Sequence, residues 1–421
     1  GYKVCPPNLR KQLTVDKIKM LIIFLAVRLY VFCKYDRIYT NIISKRGEKM
    51  VYAKGFKFRI YPNAEQQKII NQTLGCARFV YNHFLAVRRD NWQEKHESVT
   101  YVKSSHMLTE LKCHPDFVWL KSVDSMALQE ALRNLDRAFQ NFFKKQSGYP
   151  KFKSKHSHNQ SYRTRNQSGG IRIIDGNIKL PRIGIVKTKL SREFEGRILN
   201  ATVSRTASGK YFVSLCVEMD IELLLGRNNG QQIGIDVGIK DFYSNDQGNT
   251  VANPRILKGM EKKLKRLQRS LSRKVKGSNN RNKARIKVAR VQERIANIRR
   301  DFLHKESTKL VRENQLIAVE NLKIKNMLRN HKLAKAISDV SWAEFFRMLE
   351  YKAKLYGCDV VKVDTFYPSS QTCSCCGYQN KATKNLGIRK WTCPQCNTQH
   401  DRDVNAARNI LSKALEMQKS A

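Results

Sequence analysis

Acidic side chains are scarce in this 421-residue chain, where 35 Asp and Glu stand against 80 Lys and Arg for a formal net charge of +45. So large an excess repels itself in a compact state unless a polyanion neutralises it, and a solvated basic surface accounts for only a few extra charges. Membrane surface and nucleic acid are the two common polyanions. The basic residues run along almost the whole chain rather than in one tail, which favours an extended phosphate backbone. A membrane-length apolar run is also missing. Met20–Cys33 (MLIIFLAVRLYVFC) falls short of the roughly 20 residues a spanning helix needs, and Arg28 interrupts it. No small-residue cleavage pattern follows, which argues against a signal peptide. A disulfide framework is absent too. The 11 cysteines are odd in number, and Cys5, Cys33, Cys76, Cys113, Cys216, Cys358 and Cys375 lack regular spacing, as expected of reduced, buried thiols in a cytosolic protein. Residues 1–49 carry no motif, Met50 reads as a natural start, and the first 49 residues are an extension.

What is present begins with Val51–Tyr61, which alternates apolar and basic residues as a half-buried strand does. Pro62 and Asn63-Ala-Glu-Gln66 then open a helix with a capping box, and Ile69, Thr73, Ala77, Val80 and Phe84 share one of its faces. A second helix, with Ser125 as its cap, carries Leu128, Leu132, Leu135, Phe139 and Phe142 as a core stripe. Basic residues interleaved with rings follow. Lys151, Lys153, Arg163 and Arg165 are candidate phosphate contacts, with Tyr149, Phe152 and Tyr162 placed to stack on bases; a plain loop linker is the alternative. Residues 171–219 are strand-rich, with hairpin turns at Asp175-Gly-Asn177 and Ser208-Gly209. An antiparallel barrel or sandwich fits, completed by the 51–61 strand, so that the helices of 63–145 form an insertion.

From Gln232 the pattern becomes mixed α/β. Ile233–Gly238 is a buried strand carrying Asp236, and a polar hairpin sits near Asn245–Asn249. Ile256–Phe302 is helical and very basic. Ile256, Met260, Leu264, Leu267 and Leu271 line one face, and Val288, Val291, Ile295, Ile298 and Phe302 line another after a break at Gly277–Asn280. The two helices should pair as an antiparallel hairpin. Its outward face bears Lys262, Lys265, Arg266, Arg269, Arg285, Arg294 and Arg299, too one-signed to satisfy itself, and points to a nucleic-acid duplex. Leu316–Asn321 reads as a strand with Glu320 near its end, Trp342–Tyr356 as an amphipathic helix, Asp359–Asp364 as a strand and Asp403–Leu415 as a closing helix.

Two chemical signatures lie in this half. Cys373-x-x-Cys376 and Cys393-x-x-Cys396, sixteen residues apart, have the spacing of a zinc ribbon. All four positions are thiols and none is left open, so the zinc is structural. Cys375 makes a doublet, but Cys376-Gly377 is the better knuckle end. The second signature is the ordered trio Asp236, Glu320 and Asp403. Each alone reads as ordinary: a turn aspartate, a strand-end glutamate, a helix cap with Asp401 as its competitor. In the order strand-Asp, strand-Glu, ribbon, helix-Asp they form the pattern of an RNase H-like nuclease. There, converging carboxylates hold hard divalent cations for phosphodiester displacement.

Together these motifs resemble the TnpB (OrfB) family of transposon-encoded RNA-guided nucleases, relatives of the type V CRISPR effectors. The resemblance rests on GIDVG with Asp236, AVEN with Glu320, SWAEFFRMLEYKAKLYG, YPSSQTCSCCG, WTCPQC and HDRDVNAARNI with Asp403. Upstream it adds FKFRIYPNAEQ, CARFVYNHFL and GYPKFKSK, and it spans Met50 to Leu415. It implies an α/β RNase H-like (RuvC-type) nuclease core with an inserted zinc ribbon, an antiparallel wedge β-barrel and a helical recognition domain. The wedge would be 50–62 and 146–225, the recognition helices 63–145, the nuclease 226–369 and 399–421, and the ribbon 370–398. It further implies an RNA-guided DNA endonuclease that pairs a guide RNA from the transposon end with double-stranded target DNA beside a short flanking motif. The protein would act as a monomer in the ribonucleoprotein, at the nucleoid in the cytoplasm of a prokaryotic cell. Asp236 would bridge two magnesium ions, with Glu320 and Asp403 holding one each. The alternatives are a transposase or resolvase working without guide RNA, and a nuclease-dead RNA-guided repressor. The first needs a dimer, for which no segment is evident. The second has no use for three buried carboxylates. A ribbon-containing transcription factor would leave the α/β core unexplained.

Overall fold

The computed structural model describes residues 44–46, 49–157, 160–220, 230–385 and 387–420. The Met20–Cys33 run, Cys5 and Cys33 lie outside the described residues. The chain divides into two compact units between Ile221 and Glu222.

The first unit joins one large sheet to a helical layer. Its strands are β1 (Ser44–Arg46), β2 (Lys49–Tyr61), β3 (Gln160–Arg165), β4 (Arg172–Ile174), β5 (Asn177–Leu180), β6 (Gly184–Lys189), β7 (Arg197–Arg205) and β8 (Tyr211–Asp220). They lie in the order β3-β7-β8-β2-β6-β5-β4, with β1 against β2, and every pairing is antiparallel. The early strand therefore completes the sheet of the 160–220 region. Asp175 (φ 47) and Gly176 (φ 71) are both left-handed, which makes the two-residue turn between β4 and β5.

Helix α1 (Ala64–Lys95) opens on the expected capping box: the Gln66 N–H donates to Asn63 Oδ1 at 2.8 Å and Gln66 Oε1 accepts the Asn63 N–H at 3.1 Å. Thr73, Ala77, Val80 and Phe84 are buried as predicted, whereas Ile70 rather than Ile69 takes the fully buried place. Helix α2 (Tyr101–Cys113) buries only Ser104 and Leu108, too sparse a stripe to read from sequence. Helix α3 (Ser125–Phe143) is capped by Asp124, not Ser125; Asp124 Oδ1 accepts the Met126 N–H at 3.0 Å. The carboxylate one residue earlier reaches the exposed N–H groups, so Ser125 becomes the first helical residue. Leu128, Leu132 and Leu135 form the core of that stripe. Among the scattered thiols, Cys76 and Cys358 are buried, but Cys113 and Cys375 are exposed. No described helix is long and apolar enough to cross a membrane.

In the second unit the strands are β9 (Gln231–Val237), β10 (Asp241–Asn245), β11 (Thr250–Ala252), β12 (Asn314–Glu320) and β13 (Asp359–Val363), ordered β11-β10-β9-β12-β13. β9, β12 and β13 run parallel; β10 and β11 return antiparallel. Between them come α4 (Ile256–Ser272), α5 (Asn279–Glu313), α6 (Ala334–Val340) and α7 (Trp342–Tyr356). A ribbon hairpin, β14 (Lys390–Thr392) and β15 (Gln399–Asp401), leads into the final helix α8 (Arg402–Lys419). The α4–α5 seam is built from Ile256, Val291 and Ile295 with Met260, Leu264 and Leu267. Two residues assigned to it depart. Ile298 is 39% exposed, and Phe302 turns into the main core, edge-on to Phe242 with ring centroids 4.8 Å apart.

The sheet is covered on both faces, and residue parity decides which face each side chain meets. Ile233, Ile235, Ile317 and Val319 pack with Leu310, Phe345 and Leu349 of α5 and α7. Leu316 and Ala318 face the other way, onto Ile410 and Ala414 of α8.

Candidate active site

That alternation places the acids. Asp236 follows Gly234 at the next even position of β9, and Glu320 follows Leu316 and Ala318 on β12, so both carboxylates leave the sheet on the α8 side. Gly234 lets the helix come close. A Cβ there would lie 2.1 Å from the Ala407 carbonyl oxygen and 2.8 Å from Leu411 Cβ. Ala406 and Ala407 are fully buried at this contact. The glycine of GIDVG and the alanines of DVNAA thus serve one close approach. It brings Asp403, in the first turn of α8, towards the strand ends.

Burial pushes the Asp236 carboxyl well above the ordinary carboxylate range, and the negative charges of Glu320 and Asp403 add to that, against smaller opposing effects of Arg402 and Arg389. Part of Asp236 remains open to solvent, while the surrounding protein strips its carboxylate of water. No donor among the described residues bonds that carboxylate. Glu320 is also raised by burial, offset in part by the Ser369 hydroxyl that donates to its Oε1. Asp403 is held differently. Arg389 Nη1 reaches its two oxygens at 2.9 and 3.1 Å. Asp401, not Asp403, is the N-cap of α8, accepting the Asp403 and Val404 N–H groups at 3.1 and 3.2 Å. Asp236 feels the charges of Glu320 and Asp403, but the three carboxylates do not form one compact ligand set. Among the described residues only cysteine-containing groups have all their ligand atoms within 4.8 Å of one another.

One such group is Cys373, Cys376, Cys393 and Cys396. The two knuckles are built alike. The Cys373 N–H donates to Tyr378 O (2.8 Å) and the Gly377 N–H to Cys373 O (3.0 Å); the Cys393 N–H donates to Thr398 O (3.0 Å) and the Asn397 N–H to Cys393 O (2.9 Å). Gly377 (φ 79) and Asn397 (φ 57) both take the left-handed turn that closes a knuckle. Sulfur separations of 3.6 Å, Cys373 to Cys396 and Cys376 to Cys393, approach the roughly 3.8 Å edge of a tetrahedron with metal–sulfur bonds of about 2.3 Å. The donor set and its geometry fit zinc.

Sequence reasoning missed the residues that connect ribbon to acids. Asn405 and Asn409, one turn apart on α8, donate to Thr372 O at 2.7 and 2.6 Å; Asn409 also holds Ser369 O, and Asn405 Oδ1 accepts the Ser374 N–H. Their signal was the i, i+4 asparagine pair in HDRDVNAARNI.

The candidate phosphate contacts divide. Lys262, Lys265, Arg266 and Arg269, with Arg273 and Lys274, line a surface groove of about 660 Å³ on α4. Lys265 also pairs with Glu261 at 2.7 Å. Lys151, Arg285 and Arg294 are exposed, and Arg285 also has a partner of its own. Others have internal partners. Arg165 Nε lies 2.6 Å from Glu130, Arg163 bonds Asn200 at 3.0 Å and approaches Glu130 at 3.7 Å, and Arg299 pairs with Asp339 at 2.6 Å. Lys153 Nζ sits 3.9 Å above the Tyr81 ring. Of the proposed stacking rings, Tyr162 is buried in the core, whereas Tyr149 and Phe152 are exposed.

Comparison with known proteins agrees with this organisation. Residues 214–331 match a family described as "Probable transposase", 342–410 a "Cas12f1-like, TNB domain", and 50–97 a "Helix-turn-helix domain". The last match falls on β2 and α1, a strand and one uninterrupted helix. A Streptomyces pristinaespiralis protein named "Putative RNA-guided DNA endonuclease" is 43% identical over 365 residues, covering 86% of this chain and 89% of its own length. Escherichia coli (strain K12) InsQ, of the same name, is 34% identical over 374 residues, covering 85% and 91%. A Cas12f1 solved by cryo-EM with sgRNA and target DNA superposes with a TM-score of 0.53 at 15% identity, over 86% of this chain and 98% of that one, a likeness of fold alone. The chain belongs to the TnpB (OrfB) family of transposon-encoded proteins.

Proposed function

We infer that this protein is an RNA-guided DNA endonuclease with a RuvC-like, magnesium-dependent site. The convergence of Asp236, Glu320 and Asp403 on one face of the sheet, with Asp236 given no donor among the described residues, carries the reading. The names of the relatives support guided DNA cleavage, and the Cas12f1 complex supports guide RNA and target DNA as partners. Hard oxygen ligands partly open to solvent suit magnesium, which when bound neutralises phosphate charge and activates water. The chain's own residues set the ligands. Ser369 orients Glu320, while the Asp401 cap and Arg389 orient Asp403. The ribbon cysteines would hold a structural zinc. The basic groove on α4 would take a phosphate backbone, so affinity should fall steeply with salt. The recognition helices (63–145) and the wedge (50–62, 146–225) would belong to the first unit, apart from the wedge's last residues, 222–225, which fall past its boundary.

The test is cleavage of a guide-matched duplex by protein loaded with its copurified RNA, with magnesium. Asp236→Ala, Glu320→Ala and Asp403→Ala should each abolish cutting and leave the complex intact on a gel. Cutting by all three variants at the unsubstituted rate overturns the reading.

A further inference from the structure

We propose that His400 donates its Nε2–H to the Cys373 sulfur and thereby couples metal occupancy of the ribbon to the placement of Asp403. His400 is 3% exposed, and its Nε2 lies 3.0 Å from Cys373 Sγ. Its ring packs on Trp391, centroids 4.8 Å apart, its partner across the β14–β15 ladder. Among the described residues Nδ1 has no hydrogen-bond partner, and the sulfur is the ring's one hydrogen-bonding contact. A metal-bound thiolate is a strong acceptor, and a donor held against it tunes and orients that ligand.

From His400 the chain reaches the acids without slack. Asp401 ends β15 and caps α8, the Arg402 N–H donates to Arg389 O at 2.8 Å, and Arg389 grips Asp403. On the other side of Cys373, Asn405 holds Thr372 and Ser374, and Ser369 leads to Glu320. A shift at Cys373 is therefore felt at both Glu320 and Asp403. His400 is a positioning residue in this scheme. The link to Asp403 rests on the nuclease reading above; the bond to Cys373 does not.

The rival is that His400 is itself a ligand, since Cys373, Cys375 and His400 also lie within 4.8 Å of one another. The experiment uses the full chain with His400→Phe, which keeps a ring against Trp391 but no donor, and His400→Gln, which keeps a donor. Zinc release to a colorimetric chelator, the thiolate charge-transfer absorption of cobalt-loaded protein, and manganese affinity by electron paramagnetic resonance are measured beside cleavage. His400→Phe should still bind one zinc, release it about tenfold faster, shift the cobalt band and weaken manganese binding about tenfold, with His400→Gln within about threefold of the unsubstituted protein. Unchanged release and cobalt spectrum in His400→Phe overturn the proposal. Altered release with unchanged manganese affinity overturns the coupling. Should His400→Phe fail to fold, His400→Gln decides: near-normal release supports donation, and rapid release overturns it in favour of ring packing. Tight metal retention by Cys396→Ser with an imidazole-type cobalt spectrum also overturns it, in favour of ligation. If zinc release responds while the unsubstituted protein cuts nothing, the nuclease reading fails and the His400 bond stands.

Discussion

Both units bury carboxylates, and they treat them in opposite ways. In the first, Glu130 is 2% exposed and is met by Arg165 at 2.6 Å, Arg133 at 3.6 Å and Arg163 at 3.7 Å. Nearby, buried Asp124 accepts the Thr164 hydroxyl and the Met126 N–H. In the second, Asp236 meets no donor among the described residues, and the charges that act on it most are those of Glu320 and Asp403. A buried acid surrounded by guanidinium and hydroxyl groups is a structural tie between α3 and β3. A buried acid facing other acids is costly in its charged form, and under the proposed function a bound cation relieves that cost.

Removing each acid should therefore have opposite consequences. Asp236→Asn should lower cleavage at least about 10³-fold, because the carboxylates act as a unit, yet raise the melting temperature of the metal-free protein. The sign follows from linkage. With its pKa raised above the ordinary 3.8, Asp236 binds more protons folded than unfolded, so its contribution to stability falls as pH rises through that window. Asn removes the dependence, and a calorimetric pH series without metal checks it. An equal or lower melting point in Asp236→Asn breaks the comparison. Glu130→Gln should do the reverse, costing about 1–3 kcal/mol in urea unfolding by giving the arginines a neutral amide in place of their carboxylate, while the folded fraction cuts normally. Asp401→Ala should be milder: about 1 kcal/mol for the lost cap, with cleavage reduced but measurable, whereas Asp403→Ala is inactive.

The same contrast explains what was legible in the sequence. The ribbon was readable because its chemistry demands fixed residue types at local spacing, and the carboxylate order because each acid sits in its own short motif. β2, α7 and the Asn63 cap were readable because periodicity and capping are local too. Pairings across the fold were not. Arg165 looks like any surface arginine until Glu130, 35 residues away, is brought against it, and Arg299 until Asp339 is. Charge is visible in a sequence; its partner is not. The role of Gly234 likewise needed α8 in place, since nothing local requires a glycine at that strand position.

A buried charge of the other sign gives a third and smallest case. Lys352 on α7 is 7% exposed, and its Nζ donates to His304 O at 2.8 Å and to the Ser307 and Thr308 hydroxyls at 2.7 Å each. It has hydrogen bonds like Glu130 but, among the described residues, no carboxylate pairs with it. Burial accordingly brings its pKa down to about 8 from 10.5, with Arg312 adding to the effect. Between those values the unfolded chain binds more protons than the folded one, so this group's contribution makes stability rise with pH from about 8 to 10.5. Lys352→Met fills the same space without the charge. Ser307 keeps its own bond to Leu303 O at 2.5 Å, and Thr308 is only partly buried, within reach of water. The variant should be about 1 kcal/mol more stable than the unsubstituted protein at pH 7, with the gap closing as pH approaches 10. Urea midpoints at pH 7, 8.5 and 10 decide it. A gap that widens with pH would mean that the ammonium is a net stabilising tie between α5 and α7, and that hydrogen bonds alone make a buried charge structural.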